Sequence, residues 1–314
     1  MVVTDANYIR EIPAFVIRRC ADCGTSAMDP MPTAVEAGQI YVSENVFSQP
    51  RVFPNVGLRL SRILEPLWAK FGKDLRFVVK LCARFSARRN TLSVLDIGCS
   101  TGGLLATFEE LEPSFRLTGV DIDPNSKLQG FPSIADSIQI GDVRTMQFGK
   151  RFDIITMRTV IEHLTEIMPY LDHVVGLMKD DGILFLATPD IASARARQLG
   201  ATWKLINDTA QKTGHVLWFD RASLRKLAAH LGLEVAYLGN RGEAFEHFPR
   251  WLRRAMAAAF GRDPHQGRII RWYVPRLVYS LVFDGLLSER LGWGDVMYAI
   301  LRKPRTTVRA LSGP

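Results

Sequence analysis

Val94-Leu95-Asp96-Ile97-Gly98-Cys99-Ser100-Thr101-Gly102, with Gly119-Val120-Asp121 following it, is the stretch on which the fold turns. A short apolar run ends in glycine, a group of small residues follows, Gly103 to Leu111 keeps helical spacing, and a second apolar run ends in aspartate. That is a strand, a tight turn, a helix and a second strand. Small residues at Gly98, Ser100 and Gly102 let backbone come close to a ligand and leave amide donors at the mouth of the helix.

The loop alone is ambiguous. Read as Gly98-x-Ser100-x-x-Gly103, it passes for a degenerate dinucleotide fingerprint. The acids around it discriminate. Asp96 stands at the carboxyl end of the first strand, where its charge repels a pyrophosphate and attracts an ammonium group. Asp121, at the end of the second strand, can accept ribose hydroxyls, and Asp142 in Ile140-Gly141-Asp142-Val143 can accept from an exocyclic amine such as that of adenine. Each acid has a plainer reading: a helix cap at Asp96, a turn with Asp123-Pro124 at Asp121, a solvated loop at Asp142. Their order and spacing together favour adenosine joined to a cationic amino acid, and suit NAD poorly.

Outward from this unit, short β-branched runs alternate with helical ones, as in a parallel sheet built from βαβ units. Expected strands are 93–97, 116–121, 137–140, 152–157, 182–187, 233–238 and 295–301; expected helices are 103–111, 160–178 and 221–231. The chain divides into an irregular lead-in (1–54), basic helices (55–90), the α/β core (91–240), a helical insertion (241–293), a last core strand (294–303) and a tail (304–314).

Net charge is +8, unevenly spread. Residues 55–90 carry nine Lys/Arg against two acids, and 241–314 carry thirteen against six. Such flanks suit an anionic substrate or peripheral contact with a membrane face; a solvated helix surface is the plainer reading. No nucleic-acid-binding motif stands in either flank. No run approaches the roughly 18 to 20 apolar residues of a membrane span, and the N-terminus lacks the basic start of a secretory signal, which points to the cytoplasm. Of four cysteines, Cys20-x-x-Cys23-Gly24 forms half a zinc knuckle, but the first histidine is His163. A tight turn with two buried thiols is the favoured reading, and no metal ligands are assigned.

The succession Val-Leu-Asp-Ile-Gly-Cys (94–99), Gly-Val-Asp (119–121), Gly-Asp (141–142), Phe-Asp-Ile-Ile (152–155), Val-Ile-Glu-His-Leu (160–164) and Leu-Met-Lys-Asp-Asp-Gly-Ile-Leu-Phe-Leu-Ala-Thr-Pro (177–189) resembles the class I S-adenosylmethionine-dependent methyltransferases over about two-thirds of the chain. The resemblance implies a Rossmann-like, seven-stranded, mostly parallel sheet whose seventh strand is antiparallel. It implies S-adenosylmethionine as cofactor, with Gly98, Cys99 and Gly102 at its methionine part, Asp121 at the ribose and Asp142 with Val143 at the adenine, and Asp96 and Ile122 among the cofactor-binding residues. Ser100 stands where the family usually has glycine.

A sulfonium methyl is a strong electrophile, so methyl transfer asks mainly for an aimed nucleophile and exclusion of water. A base near neutral pKa helps a hydroxyl by about 10² to 10⁴-fold. Glu162 and His163 follow the fourth strand and are the first candidates for base or substrate contact. His215, in Thr213-Gly214-His215-Val216-Leu217-Trp218-Phe219, matches a recurring segment of the same group of methyltransferases. A structural histidine at the start of a helix is the alternative for His163, and Trp203 reads as a core or lid residue. The lead-in, with Cys20, Cys23 and Pro30-Met31-Pro32, is loosely similar to bacterial methyltransferases of cell-surface glycans and secondary metabolites. The expected reaction is methyl transfer, on oxygen, to a small-molecule, sugar-containing or lipid-linked acceptor. A quinone-type phenol as acceptor and a non-catalytic S-adenosylmethionine-binding partner protein are the alternatives.

Overall fold

A computed structural model of the chain describes residues 2–4, 15–37, 73–200, 203, 205–206, 214–241 and 294–304. The helical insertion expected before the last strand, the basic segment before Lys73 and the tail beyond 304 lie outside the described residues. The described strands begin with β1 (Val2–Thr4), β2 (Phe15–Arg19) and β3 (Ser26–Asp29). Then come helix α1 (Lys73–Phe85), strand β4 (Ser93–Ile97), α2 (Gly103–Leu111), β5 (Arg116–Asp121), the single turn α3 (Asn125–Leu128) and β6 (Ile138–Ile140). Next are β7 (Phe152–Arg158), α4 (Ile167–Gly176), β8 (Met178–Pro189) and α5 (Ala194–Leu199). The last are β9 (Leu217–Trp218), α6 (Arg221–His230), β10 (Glu234–Arg241) and β11 (Val296–Arg302).

Seven strands form the main sheet in the order β10-β11-β8-β7-β4-β5-β6. The pairs β4–β5, β4–β7, β5–β6 and β7–β8 are parallel, whereas β11 runs antiparallel to both its neighbours. The expected sheet with a reversed last strand is present. Its central strands are apolar on both faces because helices cover both. Leu95, Ile97, Ile155 and Met157 pack on one side with Leu171 and Val174 of α4, and Leu224 and Leu227 of α6. Val94, Ile154 and Phe185 pack on the other with Val78, Leu104, Leu105 and Phe108 of α1 and α2. Alternation of neighbouring residues between two apolar layers is what a doubly covered parallel sheet requires. Each such side chain contributes about 1.5 to 3 kcal/mol on burial. Chain order reverses at β4, which has β5 on one side and β7 on the other, and a crevice opens at the carboxyl ends of strands at such a reversal.

Two expectations are corrected. The stretch read as an irregular lead-in contains β2 and β3, which pair antiparallel and extend through β9 into a second, four-stranded sheet. The helix expected over 160–178 is divided: a 3₁₀ turn covers Ile161–His163, and α4 begins only at Ile167. Pro169 explains the division, since a proline ring clashes with the carbonyl four residues back and is tolerated only in a first turn. Strand β8 correspondingly starts at Met178, earlier than expected.

Two arginines of the described part of the basic segment are engaged with acids of the core. Arg76 of α1 donates to both oxygens of Glu110 at 2.9 Å. Arg89 reaches the buried Asp153 at 2.6 Å and also pairs with Asp181. No helix among the described residues is long and apolar enough to cross a membrane.

The small sheet is tied to the main domain through Asp220. This residue caps α6 by accepting from the Ser223 amide at 2.7 Å, receives the Arg19 guanidinium of β2 at 2.6 Å, and donates its own amide to Ser223 Oγ at 2.9 Å. Burial pushes its carboxyl up, but the bonds from Ser223 and Arg19 prevail and hold it below the usual range. Asp220→Ala is expected to cost about 1 to 2 kcal/mol in urea unfolding near neutral pH. A carboxylate held low stabilises the fold above its unfolded pKa of about 4, so the deficit of the variant shrinks as pH falls below that value. An equal deficit at acid pH would contradict the assignment.

Candidate functional site

At the carboxyl end of β4 the chain turns sharply into α2. Gly98 and Cys99 both donate their amides to the Val120 carbonyl, at 2.8 and 3.2 Å, which folds the loop against β5. Gly98 has φ +70° and Gly102 φ +82°, the left-handed region that only glycine enters freely. A methyl group at Gly98 would lie 2.5 Å from Val160 Cγ2, and one at Gly102 2.9 Å from Ile134 Cγ2. Gly102 is the N-cap of the nine-residue α2, and no side chain caps it. The result is a shallow backbone cradle facing the positive end of a helix. Ser100 also adopts positive φ, at +49°, where a residue with a Cβ is strained by about 1 to 2 kcal/mol. Cys99 is buried, and its Sγ would lie 2.8 Å from a methyl built on Gly119, so its side chain faces the core and only its backbone faces the loop.

Of the three acids, Asp121 is the one built into the loop. Its Oδ2 accepts from the Ser100 amide at 2.7 Å and its Oδ1 from the Asp123 amide at 2.9 Å. Burial raises its pKa against those bonds. Ile122 beside it is an exposed large apolar residue, 49% accessible. Asp96 lies underneath, 3% exposed, accepting the Thr156 hydroxyl at 2.6 Å. Burial pushes its carboxyl up to about 7, with Thr156 and Arg158 opposing and Asp121 adding to the rise. Asp142 differs from the expectation: its carboxylate is taken by its own neighbour Arg144, with Nη2 at 2.7 Å and the Arg144 amide at 2.9 Å. Burial works against ionisation there, but the Arg144 bonds win and the pKa is lowered. Val143 is buried.

The residues Glu162, His163 and His215 come together, although His163 and its carbonyl partner Gly214 are 51 residues apart. One potential ligand atom from each lies within 4.8 Å of the others. His215 Nε2 stands 3.9 Å from Glu162 Oε1, and the two imidazoles are 4.7 Å apart. His163 Nδ1 meets the Gly214 carbonyl at 3.0 Å, and His215 Nδ1 meets the Leu205 carbonyl at 3.1 Å. A carbonyl only accepts, so each Nδ1 carries the proton and each neutral ring keeps its lone pair on Nε2. Val216 donates its amide to the Glu162 carbonyl at 2.8 Å, binding the two segments at backbone level.

All three side chains are buried, and neither oxygen of Glu162 nor the hydroxyl of Thr188 has a hydrogen-bond partner. An unsatisfied buried polar group costs about 1 to 3 kcal/mol. Burial drives Glu162 up to about 8, opposed by its own amide and by the nearby Thr188 hydroxyl, which approaches without the geometry of a hydrogen bond. Burial, followed by the charge of His215, takes His163 well below its usual value, and burial takes His215 down to about 4. The residue after the strand that leads here, Thr159, is β-branched and stands at φ +55°, a conformation that persists only where surrounding structure enforces it. The cluster adjoins the cradle, since Val160, which touches Gly98, immediately precedes this 3₁₀ turn.

Some residues lie elsewhere. Trp203 is in the core, with its indole N–H directed to Asp295 at 3.3 Å. Cys20 and Cys23 flank a turn closed by Gly24 N to Cys20 O at 3.0 Å, but Cys20 is exposed, so the expectation of two buried thiols fails. The sequence reading missed the Glu162/His163/His215 set as a potential metal-ligand group. Its only local signal is the adjacent Glu-His pair, and the third member is held to them through the Val216 amide bond to the Glu162 carbonyl.

A family profile described as "Methyltransferase domain" matches residues 68–238. Trans-aconitate 2-methyltransferase of Escherichia coli O1:K1 / APEC is 29% identical over 116 residues, which are 37% of this chain and 46% of the relative. The corresponding protein of Escherichia coli O45:K1 (strain S88 / ExPEC) is 28% identical over the same shares. The chain thus spans about half the length of the curated relatives it matches. Among solved structures, the plantazolicin methyltransferase BpumL in complex with SAH aligns with TM-score 0.48 at 14% identity, over 86% of this chain and 96% of that one. The [4+2]-cyclase SpnF aligns with TM-score 0.48 at 14% identity, over 87% and 97%.

Proposed function

We propose, from the premise that this chain belongs to the methyltransferase-domain family, that it transfers a methyl group from S-adenosylmethionine to an oxygen of a small-molecule acceptor, sugar-containing or lipid-linked. The observation that carries the reading is the Asp121 carboxylate fixed beside the left-handed Gly98–Gly102 cradle, at the reversal of strand order. When bound, S-adenosylmethionine supplies a methyl group on a sulfonium that needs no further activation. The residues present fit it. The left-handed Gly98 and Gly102 hold the loop tight against Val160 and Ile134 so that its backbone faces the ligand, Asp121 keeps acceptor capacity for ribose hydroxyls, and the exposed Ile122 offers apolar surface to the nucleoside. Asp142, engaged by Arg144, has the smaller part at the adenine edge.

Asp96 contributes a field more than a contact. Two carboxylates, Asp96 and Asp121, repel each other beneath the cradle, and a cationic ligand relieves that repulsion. Binding a cation therefore favours loss of the Asp96 proton. Affinity for S-adenosylmethionine is expected to rise with pH through about 7 and to level off above it. Asp96→Asn should flatten the profile; calorimetric titrations between about pH 6 and 8 give the answer, and the same slope in the variant would refute the role.

Glu162, His163 and His215 provide the acceptor side. With Nδ1 protons committed to carbonyls, both imidazoles present Nε2 as a hydrogen-bond acceptor. Their lowered pKa values make them weak proton acceptors near neutral pH, so their part is to orient an acceptor oxygen toward the cradle more than to deprotonate it. The test is transfer of labelled methyl from S-adenosylmethionine into a fractionated host extract. Label in a small-molecule, glycan or lipid fraction that depends on Asp121 supports the proposal. Binding of NAD without binding of S-adenosylmethionine would end it.

A further inference from the structure

Glu162, His163 and His215 have more than an acid-base set needs. We propose that these three side chains hold a divalent transition-metal cation, and that the cation presents an open coordination position to an oxygen of the acceptor. The clause on the acceptor rests on the methyl-transfer reading; the metal site stands without it. Four observations converge. The ligand atoms lie within 4.8 Å of one another, and zinc with bonds of about 2.0 to 2.1 Å spaces tetrahedral ligands by roughly 3.4 Å, so side-chain rotations of about an ångström close the site. Each Nδ1–H is held by a backbone carbonyl, Gly214 for His163 and Leu205 for His215, which fixes the ring tautomer in the way metal-bound imidazoles need. The Glu162 carboxyl is fully buried with both oxygens lacking a hydrogen bond, the condition that a cation would satisfy. The backbone bond from Val216 to the Glu162 carbonyl holds the two contributing segments in place before any ion arrives.

The donor set also selects the ion. Two imidazoles and one carboxylate suit zinc, iron(II), cobalt(II) or nickel(II), whereas magnesium and calcium favour oxygen-only shells. Three protein ligands leave at least one position vacant, the arrangement of sites that bind a substrate oxygen instead of serving structure alone. The unpartnered Thr188 hydroxyl is a further group that such an oxygen could meet. Val160, two residues before Glu162, packs against Gly98, so the segment carrying two of the three ligands adjoins the cradle.

The experiment uses the full chain, stripped with a chelator and titrated with cobalt(II) alone and then zinc(II). One equivalent of cobalt should bind with visible d–d absorption, zinc should displace it, and zinc should raise the thermal midpoint of the unaltered chain. Glu162→Gln and His215→Asn should each weaken binding by more than about 100-fold, whereas the double substitution Cys20→Ser/Cys23→Ser should leave it intact. The proposal is overturned if the unaltered chain neither binds cobalt nor gains stability with zinc, or if binding follows the cysteines. Should the Glu162 and His215 variants fold poorly, the thermal shift of the unaltered chain and the cysteine control still decide. Calorimetry with S-adenosylmethionine separates the two readings: binding of it without any metal binding overturns only the metal site, and metal binding without it leaves the metal site and removes the methyl-transfer reading.

Discussion

Asp121→Ala is expected to weaken S-adenosylmethionine binding by about 10² to 10³-fold while the chain remains folded. The carboxylate would accept hydrogen bonds from ribose, and bonds to a charged partner contribute about 1.5 to 3 kcal/mol each. Two such bonds lost at the lower part of that range, about 3 to 4 kcal/mol together, correspond to roughly that factor in Kd. The same carboxylate also holds the Ser100 and Asp123 amides, so its removal loosens the cradle that the ligand would occupy. Asp142→Ala should be much milder, because Arg144 already consumes that carboxylate. Calorimetry with S-adenosylmethionine and its demethylated product measures both variants side by side. Equal losses at the two positions, or none at Asp121, would mean that the ligand lies elsewhere.

Gly98→Ala should be among the most destabilising single-methyl changes in the chain. The new Cβ would sit 2.5 Å from Val160 Cγ2, and the backbone at φ +70° would strain any residue with a side chain. The left-handed conformation alone costs about 1 to 2 kcal/mol, and overpacking adds typically 1 to 3 kcal/mol. At about 2 to 4 °C per kcal/mol for a domain of this size, the midpoint should fall by roughly 5 to 15 °C. Val160→Ala in the same background removes the clash but not the strain, so the double variant should recover part of the loss. Full recovery would show that the backbone conformation is not constrained; no recovery would place the crowding elsewhere.

Much of this architecture is legible in residue order. Sequence periodicity predicts the helix Gly103–Leu111 with the same ends that the structure has, because a glycine turn before it and an apolar period within it are both local signals. The seven strands of the main sheet are each apolar and bounded by turn residues, and the acids at 96, 121 and 142 mark the carboxyl ends of the first three. Such signals repeat every few residues and survive without knowledge of neighbours.

The second sheet did not announce itself. Leu217–Trp218 is a strand of only two residues, too short for alternation, and it exists because β3 offers a partner to it. The break between Ile161–His163 and α4 was written in Pro169 but outweighed, in a reading by periodicity, by the apolar run around it.

The sequence by itself determined the strand–turn–helix unit, the glycines its turn demands and the acids at the strand ends, since all of these follow from bonding along a few consecutive residues. Only the tertiary structure decided that Asp142 is spent on Arg144, that Asp96 is buried beneath the cradle, and that His215 meets Glu162 and His163. Those outcomes depend on which strand lies beside which and on how much water remains at each carboxyl, and both are set by long-range packing.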